Sequence, residues 1–106
     1  MLGYVYLLSM WEDDTNLYKI GVTKNDIDKR IKSLQTGNPS EILLINSYKS
    51  ENYRRVETML HHYYSSSNKR GEWFTLEREK VKDFTNKCEY FDRCINILKK
   101  ENPFYK

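Results

Sequence analysis

The 106-residue sequence predicts a small α/β domain: a three-stranded antiparallel sheet flanked by helices, with an amphipathic helix at the C-terminal end. Three observations support this fold class. Two strand-like segments near the start are joined by a polar turn, and apolar residues recur at helical spacing on either side of a third strand-like run. A long amphipathic stretch then ends the chain. The predicted element order is β-β-α-β-α, followed by the tail helix.

The first two strands are predicted to form a hairpin. "GYVYLLSM", residues 3–10, is rich in aromatic and aliphatic residues, "WEDDTN" supplies the turn, and "LYKIGVT", residues 17–23, is the returning strand. Alternation along the second strand puts Lys19 and Gly21 on one face and the apolar side chains on the other. We interpret the face with Lys19 and Gly21 as a functional surface, on which Gly21 leaves room for a phosphate.

The first helix is predicted from "NDIDKRIKSLQT", which carries Ile27, Ile31 and Leu34 at helical spacing. Asn25 or Asp26 is available as the N-cap, and "GNP" ends the helix. The next segment, "EILLINSY", is mostly apolar and has the length of a strand. It therefore predicts a buried third strand.

The remaining elements are a second helix, a short extended piece and the tail helix. The second helix, residues 51–66, is ended by "SSSNKRG", and its predicted inner face is formed by Val56, Met59, Leu60 and Tyr63. "EWFTL" is short and extended. The tail helix begins near residue 77, and its predicted inner stripe is formed by Val81, Phe84, Cys88, Phe91, Ile95 and Leu98.

Composition restricts the classes of function. Eighteen basic and fifteen acidic residues leave a net charge of +3, which does not indicate a polyanion binder that acts through overall charge. Cys88 and Cys94 would point about 240° apart on a helix, so the sequence predicts a reduced, intracellular protein without a disulfide. No apolar run has the length of a signal peptide or membrane span, so we expect a soluble, cytoplasmic protein without a membrane partner, or a nuclear one in a eukaryotic host.

Five short motifs follow one another in an informative order. They are "YVY" at 4–6, "KIG" at 19–21, "RIKSLQTGNP" at 30–39, "ETMLH" at 57–61 and "GEWF" at 71–74. Each is weak alone, but the ordered set, spanning residues 3–76, resembles the GIY-YIG nuclease superfamily. The similarity is greatest to its phage and large-DNA-virus branch, with KIG in place of YIG and a GEWF motif. The resemblance implies a GIY-YIG-like nuclease domain at residues 1–76 and a C-terminal helical extension at 77–106, packed on the same domain.

The resemblance also implies a catalytic set, which is Tyr6, Lys19, Arg30, Glu57 and His61. Tyr6 is the candidate for activating a water molecule, and Lys19 and Arg30 are cations that favour its phenolate and bind phosphate. Glu57 supplies one carboxylate to a hydrated Mg²⁺ or Mn²⁺ ion, so we predict one catalytic metal.

The neighbouring polar and aromatic residues receive other roles. His61 shares a helix face with Glu57, four residues earlier, whereas His62 is rotated by about 100° and is predicted to lie on the surface. One histidine and one glutamate are too few for a zinc site, so His61 is assigned to support the site or contact phosphate. Trp73 and Phe74 are predicted to pack against the second helix and are assigned no chemistry.

We therefore predict a metal-dependent endonuclease that hydrolyses DNA phosphodiester bonds with low sequence specificity. The alternative is a non-catalytic nucleic-acid-binding or regulatory protein that retains the fold, and a protein-interaction domain is a third hypothesis. RNA remains an alternative substrate, and both a monomer and a homodimer are consistent with the sequence. Basic side chains that could contact flanking phosphates are Lys24, Lys29, Arg30, Lys32, Arg54, Arg55, Lys69 and Arg70.

Overall fold

Five antiparallel strands form a single sheet in the computed structural model, which describes residues 2–70 and 73–101. The strands, in chain order, are Gly3–Glu12 (β1), Thr15–Thr23 (β2), Ile42–Ser50 (β3), Asn68–Arg70 (β4) and Trp73–Phe74 (β5). Their order across the sheet is β3-β1-β2-β5-β4. The predicted class is confirmed, but the sheet has five strands rather than three because the segment after the second helix pairs with β2.

Four α-helices accompany the sheet. They are Ile27–Gln35 (α1), Tyr53–Tyr63 (α2), Arg78–Lys82 (α3) and Phe84–Glu101 (α4), and a 3-10 turn covers Ser65–Ser67. Among the described residues, no helix combines the length and the apolar character that crossing a membrane requires. Gly71 and Glu72 of the GEWF motif and residues 102–106 of the predicted extension lie outside the described residues.

The β1–β2 hairpin closes through a two-residue turn. Asp13 and Asp14 both have positive φ angles, 50° and 60°, and the flanking residues Glu12 and Thr15 pair directly. Aspartate tolerates this left-handed conformation better than most residues, and the turn geometry matches the twist of the strands it joins. The predicted polar turn is thereby confirmed, and it sets the register that brings Tyr6 opposite Gly21.

The two faces of the sheet pack against different helices. The α2 face, marked by Val5, Leu7 and Ile20, forms the larger core with α2, α4 and the buried side chain of Phe74. The α1 face, marked by Tyr6 and Leu8, packs on α1 through two apolar side chains, Ile31 and Leu34. Because Lys19 and Gly21 pair with Leu8 and Tyr6, both lie on the α1 face.

The third strand is more exposed than predicted. β3 is an edge strand that pairs with β1, and three successive aliphatic side chains, Leu43, Leu44 and Ile45, are exposed, Leu43 by 51%. Ile42 and Ser50, at the ends of the strand, are the residues that are buried. The prediction of a buried third strand is wrong because an apolar run reports hydrophobicity without reporting the strand's position in the sheet.

Two predicted inner faces also need correction. Tyr63 is exposed, and Tyr64 is buried in its place, because α2 ends at Tyr63 and the next residue turns into the core. The tail is two helices separated at Asp83, and Leu98 is exposed because α4 continues beyond its last buried residue, Ile95.

Cys88 lies in the larger core as predicted. Its side chain is fully buried, and burial raises the pKa of the thiol to about 12, so it stays protonated. Cys88 and Cys94 are both free cysteines. The prediction of a small buried hydrophobe at position 88 is therefore confirmed.

A polar network ties α4 to the end of β3 and the start of α2. The carboxylate of Asp92 accepts hydrogen bonds from Tyr48 Oη at 2.8 Å, Ser50 Oγ at 2.7 Å and Asn52 Nδ2 at 2.7 Å. Lys99 donates to the Asn52 side chain. Burial by itself would raise the pKa of Asp92, but the hydrogen bonds from Asn52, Ser50 and Tyr48 outweigh it and hold the pKa below its usual range.

We expect Asp92→Asn to lower the free energy of unfolding at pH 7 by about 2 kcal/mol, because an amide cannot accept all three hydrogen bonds. Since the pKa of Asp92 is lower in the folded state, its carboxylate stabilises the protein above about pH 4, and this contribution is lost as pH falls through the folded-state pKa. Urea unfolding at pH 7 and pH 3 tests this. Glu89→Gln, at an exposed site on α4, is the control, and an equal loss from Asp92→Asn at both pH values would contradict it.

Candidate functional site

Tyr6 lies on the α1 face, directly opposite Gly21. Its side chain is 1% exposed. A Cβ atom at Gly21 would lie 2.5 Å from Tyr6 Oη and 2.6 Å from Cζ. Position 21 must therefore be glycine for the Tyr6 side chain to lie over the backbone of β2. The interpretation of Gly21 as room for a phosphate is wrong, because the tyrosine side chain fills that space.

Arg30 contacts the hydroxyl of Tyr6. The Nε of this exposed arginine donates to Tyr6 Oη at 3.3 Å. The contact depends on where α1 begins, and Asp26 caps that helix by accepting from the amide of Asp28 at 2.9 Å. With Nε used in this way, the terminal nitrogens of the guanidinium remain suited to an anion. Arg30 borders an open groove of about 490 Å³ that is also lined by Thr23, Asn25, Asp26 and Lys29.

Lys19 lies on the same face, beside Trp73. The two residues pair directly across β2 and β5, and Lys19 Nζ lies 5.8 Å from the centre of the indole ring. Only Phe74 packs against α2 as predicted, with its ring 5.4 Å from that of His61. The prediction for Trp73 is wrong because neighbouring residues of a strand point to opposite faces, so Trp73 is turned toward Lys19.

Glu57 and His61 approach β2 from α2. His61 Nε2 lies 2.9 Å from the carbonyl oxygen of Ile20, and a carbonyl only accepts, so Nε2 carries a proton. Glu57 Oε2 lies 3.8 Å from the same nitrogen. The hydrogen bond from His61 Nε2 to the Ile20 carbonyl fixes the histidine ring to β2, at the residue between Lys19 and Gly21. His62 is exposed, which confirms its predicted surface position.

The five predicted site residues thus form two groups on either side of β2. Tyr6, Arg30 and Lys19 lie on the α1 face, whereas Glu57 and His61 belong to α2, which packs on the α2 face. One link between the groups is the His61 bond to the β2 backbone.

The electrostatic setting is basic on the α1 side. Lys24, Lys29 and Lys32 are exposed on or just before α1, and Arg54 and Arg55 are exposed on α2. The side chains of Lys69 and Arg70 lie outside the described ones. Within residues 2–70 and 73–101, no three His, Cys, Asp or Glu side chains come close enough to form a metal site by themselves.

Sequence reasoning assigned no role to Gln35, which shapes the loop after α1. Its Nε2 donates to the carbonyl oxygens of Asn38 at 3.2 Å and Ser40 at 2.8 Å, and its Oε1 accepts from the amide of Ile42 at 2.7 Å. The signal for this role was the LQTGNP string itself, in which a glutamine precedes a turn. These three hydrogen bonds define the loop conformation beside the α1 face.

The chain matches a known protein-family model. A family model described as the T5orf172 domain matches residues 3–89, which extend from β1 into α4. No match to the chain is found among curated proteins or among solved structures.

Proposed function

The chain belongs to the T5orf172 domain family, and on that premise we propose that it is a metal-dependent endonuclease of the GIY-YIG type that hydrolyses DNA phosphodiester bonds with low sequence specificity. The T5orf172 domain is associated with endonuclease-type phage proteins, which supports a nuclease-like or DNA-binding role. The observation that carries the proposal is the contact between the Arg30 guanidinium and the Tyr6 hydroxyl, on the face that Lys19 shares.

The α1 face supplies the groups that phosphodiester hydrolysis needs. The terminal nitrogens of Arg30 form a planar fork that matches phosphate oxygens, and Lys19 adds a point charge. Water attacks phosphorus while the Tyr6 oxygen orients it as a hydrogen-bond acceptor, the bond to the leaving sugar oxygen breaks, and the proton lost by the water is delivered through solvent to that leaving oxygen. Arg30 stabilises negative charge on the phosphate, which is the kind of electrostatic contribution that dominates such reactions, and its Nε holds the Tyr6 hydroxyl in place.

Glu57 is the residue proposed to hold the metal. Its side chain is 27% exposed, and Mg²⁺ commonly binds through one or two carboxylates and takes its other ligands from water and phosphate. A single carboxylate with His61 beside it therefore fits Mg²⁺ or Mn²⁺ better than zinc. A divalent ion held by Glu57 would supply Lewis-acid stabilisation of the negative charge on the phosphate. His61 positions α2 against β2.

Two observations favour the alternative function, a nucleic-acid-binding protein without catalysis. Tyr6 is almost completely buried, and its hydroxyl accepts a hydrogen bond from Arg30. A lysine, Lys19, also stands where the resemblance places a second tyrosine. A protein of this kind would bind nucleic acid through the exposed basic residues and cleave none.

We expect the wild-type protein to cleave nucleic acid with Mg²⁺ or Mn²⁺ and not with EDTA, and Arg30→Ala to cut about 10²–10³ times more slowly. Cleavage of supercoiled plasmid, single-stranded DNA and RNA measures the rates and names the preferred nucleic acid. Arg93→Ala, which removes an exposed arginine from α4, is the matched control and keeps the wild-type rate. If wild type and both variants bind nucleic acid but none of them cleaves it, the nuclease proposal is wrong and the non-catalytic binding protein takes its place.

A further inference from the structure

Two motifs without an assigned role, the LQTGNP loop and the tryptophan of GEWF, meet in one groove on the α1 face. The groove has a cavity volume of about 400 Å³, within the range of about 300–1,000 Å³ typical of small-ligand sites. It lies between the loop that Gln35 holds and Trp73. The lining residues that matter to the argument are Met10, Leu34, Asn38, Pro39 and Trp73.

The loop side of the groove is held in one conformation. Besides the three hydrogen bonds of Gln35, Asn38 Oδ1 accepts from the amide of Ser40 at 3.0 Å. Gly37 has a φ of +79°, and no atom lies within 4 Å of the position its Cβ would occupy, so the glycine serves the turn and leaves that side open. A ligand that enters this groove does not have to order the loop first.

The opposite side of the groove is the indole of Trp73. The ring is partly exposed, and Lys19 Nζ lies 5.8 Å from its centre. Met10, Leu34 and Pro39 add apolar surface, Asn38 adds an amide, and Glu12 adds a carboxylate. A flat aromatic surface with apolar and amide neighbours suits the face and the polar edge of a nucleobase.

Lys19 connects this groove to the phosphate-binding residues. It contacts the indole on one side and shares the α1 face with Arg30 and Tyr6 on the other. A nucleotide whose phosphate lies at Lys19 and Arg30 therefore has the groove within reach of its own base or of the neighbouring one. Trp73, which lines the groove, thus lies beside Lys19 of the site of the proposed function.

We propose that this groove binds one unpaired nucleobase, stacked on Trp73, next to the phosphate that Lys19 and Arg30 hold. The proposal rests on the proposed function for its choice of nucleic acid as the ligand. A base inside an intact duplex cannot reach the ring, so the groove selects single-stranded, flapped or distorted substrates over regular duplex.

The first test measures the fluorescence emission of Trp73 in the absence of metal, so that binding is observed without cleavage. The chain has two tryptophans, and Trp11 is 58% exposed on the α2 face, so Trp11→Phe leaves Trp73 as the reporter. A short single-stranded oligodeoxynucleotide is expected to quench Trp73, and a sugar–phosphate strand of equal length without bases is not. In Trp73→Phe the remaining emission of Trp11 is expected to stay unchanged. Unaltered Trp73 emission on saturation with the oligodeoxynucleotide would overturn the proposal.

The second test measures affinity. Trp73→Ala is expected to weaken binding of the oligodeoxynucleotide about tenfold or more and to leave binding of the base-free strand unchanged. Trp73→Phe retains an aromatic ring and recovers most of the affinity, and Trp11→Ala is the matched control on the other face. Equal affinities of wild type and Trp73→Ala, with both folded by circular dichroism, would overturn the groove.

The two proposals fail in different ways. Absence of cleavage with preserved quenching of Trp73 overturns the nuclease and leaves the nucleobase groove supported. Cleavage that is unaffected by Trp73→Ala, together with absent quenching, leaves the nuclease supported and overturns the groove. A preference for regular duplex over single-stranded DNA in both binding and cleavage also counts against the groove.

Discussion

We expect Glu57→Gln to lower the rate of nucleic-acid cleavage by about a thousandfold or more while leaving the fold intact. Glutamine keeps the shape of the side chain and removes the one carboxylate that the proposed site offers to a metal. A thousandfold change corresponds to about 4 kcal/mol of transition-state stabilisation, which is within the range of a catalytic metal ion. Cleavage rates measured across a range of Mg²⁺ and Mn²⁺ concentrations test this expectation.

The control for this prediction is Glu51→Gln. Glu51 is exposed just before α2, so its replacement changes the net charge by the same amount and leaves the site untouched. Both variants should unfold at urea concentrations close to that of wild type, and both should bind DNA. Cleavage by Glu57→Gln within tenfold of the wild-type rate would show that Glu57 does not hold a catalytic metal.

Gly21→Ala is expected to lower the free energy of unfolding by about 3 kcal/mol and to remove cleavage. The added methyl group would lie 2.5 Å from Tyr6 Oη and 2.6 Å from Cζ, and a tyrosine ring packed in the core has little room to move. Relief of the overlap must shift the hydroxyl away from Arg30. Urea unfolding and the cleavage rate of the folded fraction measure the two effects.

Two further variants separate stability from activity. Gly3→Ala creates a similar overlap, 2.5 Å from the ring of Tyr53 on the α2 face, so it should destabilise the protein without changing the cleavage rate of folded molecules. Tyr6→Leu in the Gly21→Ala background removes the overlap and should recover stability without recovering cleavage. If Gly21→Ala is as stable as wild type, Tyr6 does not lie across β2 as described.

Local patterns in the sequence account for most of the elements. The spacing of Ile31 and Leu34 predicted which side of α1 packs against the sheet. The polar turn predicted the β1–β2 hairpin, in which Tyr4 pairs with Thr23 at the open end. Both predictions concern residues that are close together in the chain, either within one helix or in two successive strands. Backbone periodicity is therefore sufficient to make them. The exposure of Leu43 was not predictable in this way, because it depends on β3 lying at the edge of the sheet.

The candidate site likewise has features that the sequence predicts and features that only the tertiary structure determines. The sequence by itself made Tyr6, Arg30 and Glu57 candidates, because they stand at the matching positions of the ordered motifs that resemble the GIY-YIG superfamily. Only the tertiary structure decided that Gly21 accommodates Tyr6 and that Trp73 lies beside Lys19. Those relations depend on strand order and register, which are set by packing between residues far apart in the chain, and no local spacing encodes them.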